Sequence, residues 1–229
     1  MMSEEKSSPA TAGRRSGLKQ WRRILFRFSK AKAKAAGQTD LRYSFDDGLF
    51  RKKVPLYGMS IPKYSIIELE RRWLIPFSFA QSLSQMAYRK IDDLYLTCGR
   101  LRLRAITDSQ TGKLEFKFCK KYGSISNIAE PIVNTYLTVE ENAAISTLSG
   151  HKLSKKRFKK SLEGIEYSFD VFEGELAGLI ICEIEADSES SLNQFKGPSI
   201  AIKEVTGDSV YTGGNLCRLN RSEVHSLIG

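Results

Sequence analysis

Alternating charged and apolar positions dominate the chain from residue 66 onward. Residues 66–74 (IIELERRWL) place Glu68, Glu70 and Arg72 at alternate positions, with mostly apolar side chains between them. Successive side chains of a β-strand point to opposite faces, so these three charged groups share one face. The pattern predicts a strand with a charged face and a largely apolar face.

The same alternation recurs along the rest of the chain. At least six segments show it, and the later ones are residues 100–104, 114–118, 153–158, 165–172 and 179–186. Short segments with period-two alternation are typical of antiparallel strands that expose different chemistry on their two faces. Some of these charged faces are mainly acidic and others are mainly basic.

Turn and helix signals separate the predicted strands. Pro76 ends the first strand, and we predict a short helix over residues 77–90. Residues 108–112 (DSQTG) predict a hairpin loop, and residues 120–131 predict a longer loop. Residues 140–148 have helix character and end before a glycine. The whole pattern predicts an α+β domain.

The charged faces fit two architectures. A half-exposed antiparallel sheet turns its charged faces to solvent. A closed barrel of roughly eight strands turns them inward and has room for one small ligand. Charges inside a barrel must be paired or must coordinate a ligand. Acidic groups attract divalent cations and basic groups bind phosphate oxygens, so a barrel holding both suits a metal-bound polyphosphate.

Charge is distributed unevenly along the chain. The net charge is +10, and residues 1–58 hold 14 Lys or Arg against 5 Asp or Glu. We therefore divide the chain into a basic, partly disordered extension, residues 1–58, and a domain, residues 59–229. Residues 16–35 place apolar side chains at helical spacing among Lys and Arg, which favours an amphipathic helix on an anionic membrane surface. A poorly ordered extension, with Met59 as an alternative start, fits equally well.

Composition argues against several classes of protein. No apolar run approaches the roughly 20 residues that span a bilayer, and the N-terminus lacks a secretory signal. The four cysteines form no CxxC pair, which favours free thiols in the cytoplasm, with peripheral membrane association left open. Two histidines are too few for a histidine-based zinc site or triad.

Six motifs follow one another between about residues 63 and 218. They are Glu68-Leu69-Glu70-Arg71-Arg72, Leu101-Arg102-Leu103-Arg104, Lys117, Lys155-Lys156-Arg157, Asp170-Val171-Phe172 followed by Gly178-Leu179 and Glu183-Ile184-Glu185, and Glu204-Val205-Thr206-Gly207-Asp208 with Tyr211 and Asn215. In this order they resemble the CYTH family, the triphosphate tunnel metalloenzymes. The first motif is similar to the ExExK signature of that family, with Arg72 in place of the lysine.

The resemblance implies a closed, antiparallel, eight-stranded tunnel with flanking helices. It also implies hydrolysis of an inorganic, nucleoside or organic triphosphate with Mg²⁺ or Mn²⁺, although some members of the family cyclise ATP instead. The implied metal ligands are Glu68, Glu70, Asp170, Glu183 and Glu185. The implied phosphate-binding residues are Arg72, Arg102, Arg104, Lys117, Lys155 and Arg157. The implied catalytic residues are Glu70, Glu183 and Arg72.

One departure from the family pattern keeps a second function open. Typical bacterial members carry an acidic pair on the strand that corresponds to residues 133–138 (VNTYLT), where this chain has no carboxylate. Without those acids the protein could bind a nucleotide, a cyclic nucleotide included, or polyphosphate without turnover. Nucleic acid is not an expected partner, because alternation turns Lys155 and Arg157 inward. The sequence leaves a homodimer open.

Overall fold

Antiparallel strands form the centre of the structure, a computed structural model that describes residues 61–97 and 99–228. The strands in this part of the chain are β1 (Ile66–Ile75), β2 (Tyr88–Leu96), β3 (Leu101–Asp108), β4 (Leu114–Lys121), β5 (Ala129–Leu137), β6 (Gly150–Leu162), β7 (Ile165–Phe172), β8 (Ile180–Glu185) and β9 (Lys203–Glu204). Their neighbours follow the order β5-β4-β3-β2-β6-β7-β8-β1-β9.

The first strand closes this sheet into a barrel. The first half of β1 pairs with β5, so that Glu68 lies opposite Glu130. Its second half pairs with β8, so that Glu70 lies opposite Glu185. Because β1 joins both edges of the sheet, β1–β8 form a closed antiparallel barrel with a few flanking helices, and the predicted fold is confirmed.

Short helices flank the barrel, and the C-terminal ones contribute to the lining of its cavity. The helical elements of the described residues are the 3₁₀ helices Phe77–Leu83, Gly174–Leu176 and Ser209–Tyr211 and the α-helices Val139–Ser146, Glu189–Gln194, Gly213–Leu216 and Arg221–Ile228. Thr138 caps the helix Val139–Ser146 in a capping box with Glu141. An apolar cluster that includes Trp73, Phe158 and Phe169 packs under Phe77–Leu83 and Glu189–Gln194.

An apolar cluster bounds the charged interior at one end of the barrel. Leu74 shares the inner face of β1 with Arg72, and it belongs to a buried cluster with Tyr211 and Leu216 from the C-terminal segment. Ile91 of β2 and Ile106 of β3 are also buried and pair directly with each other.

Two sequence predictions differ from the fold. The helix predicted over residues 77–90 is wrong beyond Leu83, because residues 88–96 form β2. In β2 the charges fall on both faces, and this obscures its period of two. The loop predicted over residues 120–131 is shorter, since β4 runs to Lys121 and β5 begins at Ala129.

The predictions for residues 1–58, including the amphipathic helix over residues 16–35, lie outside the described residues. Among the residues that the structure describes, no helix is long and apolar enough to cross a bilayer. The membrane surface, the homodimer and the cytoplasmic location stay predictions.

Candidate functional site

A cavity of about 330 Å³ lies inside the barrel and is lined by charged side chains. Its acidic lining residues are Glu68, Glu70, Glu130, Asp170, Glu183 and Glu185. Its basic lining residues are Arg72, Arg100, Arg102, Arg104, Lys121, Lys155, Arg157 and Arg218. Both signs of charge therefore share one enclosed volume, as the sequence pattern predicts for a closed barrel.

The predicted metal-binding glutamates come together on two neighbouring strands. Glu70 of β1 lies opposite Glu185 of β8, and Arg72 lies opposite Glu183. Burial, together with the carboxylates of Glu183 and Glu68, raises the pKa of Glu70 despite the nearby Arg72. Burial and Glu183 likewise raise the pKa of Glu185. The carboxylates repel one another, which is the electrostatic condition that favours a bound cation.

Cations from the same cavity pair with three of these glutamates. Glu68 accepts a hydrogen bond from the Lys121 ammonium at 2.7 Å, and this cation lowers the pKa of Glu68 against the effect of burial. The Arg72 Nε lies 3.4 Å from Glu70, and the Arg157 Nη1 lies 2.6 Å from Glu183. In this arrangement, no three Asp, Glu, His or Cys side chains of the described residues converge closely enough to hold a metal ion.

Asp170 holds two of the predicted phosphate-binding cations. Its carboxylate accepts two hydrogen bonds from Arg157, each at 2.7 Å, and another from Lys155. Although burial opposes ionisation, Arg157 and Lys155 hold the pKa of Asp170 well below its usual range. The contacts of Asp170 favour the positioning of these cations and do not favour the metal ligation implied by the resemblance.

Asp93 of β2 is the buried counterion of two further cations, Arg102 and Arg104. Sequence reasoning missed this residue. Its buried carboxylate accepts two hydrogen bonds from Arg104, at 2.7 and 2.8 Å, and lies 3.9 Å from the Nε of Arg102. Arg104 and Arg102 lower the pKa of Asp93 against the effect of burial. Asp93 lies on the same face of β2 as Ile91 and Tyr95, so recognition of residues 88–96 as a strand could have found it.

The lysine of β4 that reaches the cavity is Lys121 and not Lys117. Both residues point to the same side of β4, but Lys117 is not among the lining residues. Its ammonium lies 4.8 Å from the ring centroid of Tyr136, toward the other end of the strand. The motif identified the correct strand, but the lysine that lines the cavity lies four residues, or two periods of the alternation, after Lys117.

The fifth strand also supplies an acid that sequence reasoning missed. Because β5 begins at Ala129, Glu130 belongs to this strand and lines the cavity. It accepts hydrogen bonds from the Lys121 ammonium and from the Gly123 backbone N–H, each at 3.1 Å. The expectation that the strand brings no carboxylate to the site is therefore wrong, and it followed from starting the strand at residue 133.

The C-terminal motif closes one end of the barrel and fixes Arg72. The Arg72 Nη1 donates to the Tyr211 carbonyl at 2.9 Å, and its backbone N–H donates to the Thr206 Oγ1 at 2.9 Å. The Asn215 side chain donates to the Ser209 carbonyl at 2.6 Å. These contacts give Tyr211 and Asn215 structural roles.

Glu68, Glu70, Glu183 and Glu185 supply the carboxylate oxygens that a hard divalent cation prefers, although these described side chains do not converge on one point in this arrangement. Mg²⁺ and Mn²⁺ prefer oxygen ligands and are often held by a few carboxylates together with substrate phosphates. Burial is the largest cause of the raised pKa values of Glu70 and Glu185, and repulsion from neighbouring carboxylates adds to it. A divalent cation relieves that repulsion.

Comparisons with known proteins agree with the barrel and its motifs. No family model matches the chain. An inorganic triphosphatase from Acetivibrio thermocellus is 41% identical over 66 residues, which are 29% of this chain and 41% of that protein. The chain thus spans less than half the length of this curated relative.

Solved structures provide matches at low identity. The inorganic triphosphatase NE1496 is 21% identical, with a TM-score of 0.43, over 66% of this chain and 93% of that one. The PH1819 protein from Pyrococcus horikoshii OT3 is 16% identical, with a TM-score of 0.42, over 55% of this chain and 82% of that one. The closed barrel, the ordered motifs on its inner face and the match to the curated relative together support a CYTH-type domain.

Proposed function

We propose that the barrel hydrolyses a triphosphate, either inorganic tripolyphosphate or a nucleoside or other organic triphosphate, with Mg²⁺ or Mn²⁺. The observation that carries this proposal is that acidic and basic side chains line one cavity inside the barrel. We call the acidic side chains the acidic row (Glu68, Glu70, Glu130, Asp170, Glu183 and Glu185) and the basic side chains the basic row. The match to an inorganic triphosphatase supports it. An apolar or uncharged ligand would leave both rows without a use.

In this proposal two preset pairs of cations bind the phosphate chain. Asp93 holds Arg104 and lies near Arg102, and Asp170 holds Lys155 and Arg157. Guanidinium groups form paired hydrogen bonds with phosphate oxygens when their planes are held in place. Because buried carboxylates fix these planes, little side-chain freedom is lost when the triphosphate binds.

Glu68, Glu70, Glu183 and Glu185 would hold the divalent cation. When bound, the cation neutralises negative charge that develops on the phosphoryl oxygens during transfer. Arg72, which lies 3.4 Å from Glu70, would hold the terminal phosphoryl group. Glu70, whose carboxylate lines the cavity beside Arg72, would accept a proton from the attacking water. The water oxygen bonds to the terminal phosphorus as the bond from that phosphorus to the bridging oxygen breaks. Orthophosphate leaves, together with pyrophosphate from tripolyphosphate or the corresponding diphosphate from a nucleoside or other organic triphosphate.

Phosphate release by the full chain tests this proposal. Tripolyphosphate, ATP and thiamine triphosphate are each incubated with Mg²⁺ or Mn²⁺, and we expect release from at least one of them. Glu70→Gln and Glu183→Gln should each reduce the rate by at least about a hundredfold. Glu166→Gln is the matched control, because this acid lies on β7 with a largely exposed side chain, paired with Lys159 at 3.5 Å.

The absence of release from every substrate would contradict hydrolysis. If calorimetry then measured nucleotide or polyphosphate binding by the same preparation, the result would favour the non-catalytic binding protein that the sequence leaves open. If Glu166→Gln lost as much activity as Glu70→Gln, the assigned position of the site would be wrong.

A further inference from the structure

Lys121 places a positive charge beside Glu68, one of the four carboxylates that are proposed to hold the metal. Its ammonium lies 2.7 Å from a carboxylate oxygen of Glu68 and 3.1 Å from one of Glu130. Glu130 is itself fixed by the backbone N–H of Gly123 at 3.1 Å. The ammonium therefore occupies space between two acids of the lining, where a divalent cation would compete with it.

Lys121 is less constrained than the other cations that pair with the glutamates. Arg157 is held by Asp170 as well as by Glu183, and Arg72 also donates to the Tyr211 carbonyl. The contacts of the Lys121 ammonium are with the acidic row, and 29% of its side chain is exposed. A lysine has a compact charge on a flexible stem, so it can exchange one anionic partner for another within reach.

We propose that Lys121 is a placeholder cation, meaning a side chain that neutralises the acidic row until a divalent cation replaces it there. The displaced ammonium then binds phosphate oxygens of the triphosphate. This inference rests on the proposed function, because it takes the acidic row as the metal site and the cavity as the triphosphate site.

Exchange of this kind couples the two ligands energetically. Metal alone must displace Lys121 and leave its ammonium without an anionic partner, and triphosphate alone must draw Lys121 away from Glu68 and Glu130. Removing one partner of this partly buried ion pair is costly, because the charge that remains is uncompensated. When both ligands bind, each displaced charge finds a new partner, so each ligand increases the affinity for the other.

Mn²⁺ binding to the full chain without triphosphate tests the placeholder directly. Electron paramagnetic resonance of free Mn²⁺ gives the affinity of the wild type and of Lys121→Met. We expect Lys121→Met to bind Mn²⁺ roughly tenfold more tightly, within the usual range of coupling between sites. The metal no longer has to displace an ammonium in this variant.

Two other lysines provide matched controls. Lys120→Met removes the same charge one residue away, on the opposite side of β4, where the ammonium lies 5.9 Å from the Tyr122 ring centroid. Its Mn²⁺ affinity should stay within about twofold of the wild type. Lys155→Met removes a charge inside the cavity, but that ammonium pairs with Asp170. Its gain should be clearly smaller than that of Lys121→Met.

A second measurement repeats the Mn²⁺ titration in saturating imidotriphosphate, an analogue in which bridging N–H groups resist hydrolysis. The wild type should gain roughly tenfold in Mn²⁺ affinity, and Lys121→Met should gain less than about threefold. An unchanged or weaker Mn²⁺ affinity in Lys121→Met would overturn the inference. An equal gain in Lys155→Met would also overturn it, since the effect would then reflect cavity charge alone.

Folding and activity can be separated from this result. If Lys121→Met melts below the assay temperature, the increase in its Tm with Mn²⁺ concentration measures the same affinity. Lys121→Gln, which keeps a polar group of similar length, serves as a second variant. Failure to release phosphate would contradict the proposed function and leave the Mn²⁺ comparison valid. Phosphate release with no change in Mn²⁺ affinity would contradict only the placeholder.

Discussion

Replacing Asp170 with Asn should reveal how strongly the interior depends on buried counterions. The Asp170 carboxylate is 2% exposed and accepts three hydrogen bonds from Arg157 and Lys155. Asn keeps the shape of the side chain but removes its negative charge. Two cations would then remain in the interior without this counterion.

The expected loss is large relative to the stability of a typical domain. A hydrogen bond to a charged group contributes about 1.5–3 kcal/mol, but desolvation of the charges offsets much of the sum of three. Breaking a buried pair by removing one partner costs ~3–5 kcal/mol. Because Asp170 is almost fully buried, solvent screening does not reduce this figure, and we expect a decrease of about 4 kcal/mol in the free energy of unfolding.

Urea denaturation followed by circular dichroism measures this difference. Asp92→Asn is the control, because its carboxylate is 56% exposed and 3.8 Å from Lys90, and it should cost less than about 1 kcal/mol. The folded-state pKa of Asp170 is lowered, so its contribution is fully present above the unfolded pKa of about 4 and decreases as pH falls further. A loss below about 1 kcal/mol at pH 7 would refute the assignment of Asp170 as a buried counterion.

Three further predictions test other parts of the structure. Gly213→Ala should lower the free energy of unfolding by ~1–3 kcal/mol in urea denaturation, because its Cβ would lie 1.9 Å from the Tyr95 Oη. Gly214→Ala, whose nearest contact would be 3.7 Å, should cost less, and an equal loss in both variants would contradict the close packing at Gly213. Glu70→Gln should raise the Tm of the metal-free protein at pH 7, since a raised folded-state pKa means that ionisation destabilises the fold. That advantage should vanish below pH ~4, and a lower Tm at pH 7 would contradict it. Lys117→Met should change kcat/KM for tripolyphosphate less than about threefold in a steady-state assay, because this lysine does not line the cavity. A hundredfold loss would show that Lys117 does contribute to the site.

The charge pattern was sufficient for the strands, and the resemblance of the ordered motifs supplied the closed barrel. Charges at every second position of several strands identify the strands and their charged faces, but they fit a half-exposed sheet as well. The pattern also correctly brings Glu70, Glu183 and Arg72 together in one cavity. These assignments need only the period of a strand and the order of the motifs.

The errors concern where strands begin and how charges pair inside the barrel. Moving the start of β5 from residue 133 to Ala129 brings Glu130 into the site. Extending β4 to Lys121 replaces the lysine expected at the cavity. The pairing of Asp170 with Arg157 depends on the register between β6 and β7, which alternation alone does not fix.

Tripolyphosphate turnover, followed by ³¹P nuclear magnetic resonance, tests the central claim most directly. The account predicts that the full chain converts tripolyphosphate to equal amounts of pyrophosphate and orthophosphate when Mg²⁺ or Mn²⁺ is added. It also predicts that a chelator stops the reaction and that Glu183→Gln abolishes it. Unchanged tripolyphosphate signals with either metal, or hydrolysis that persists at the wild-type rate in Glu183→Gln, would contradict the claim that this cavity is a triphosphatase site.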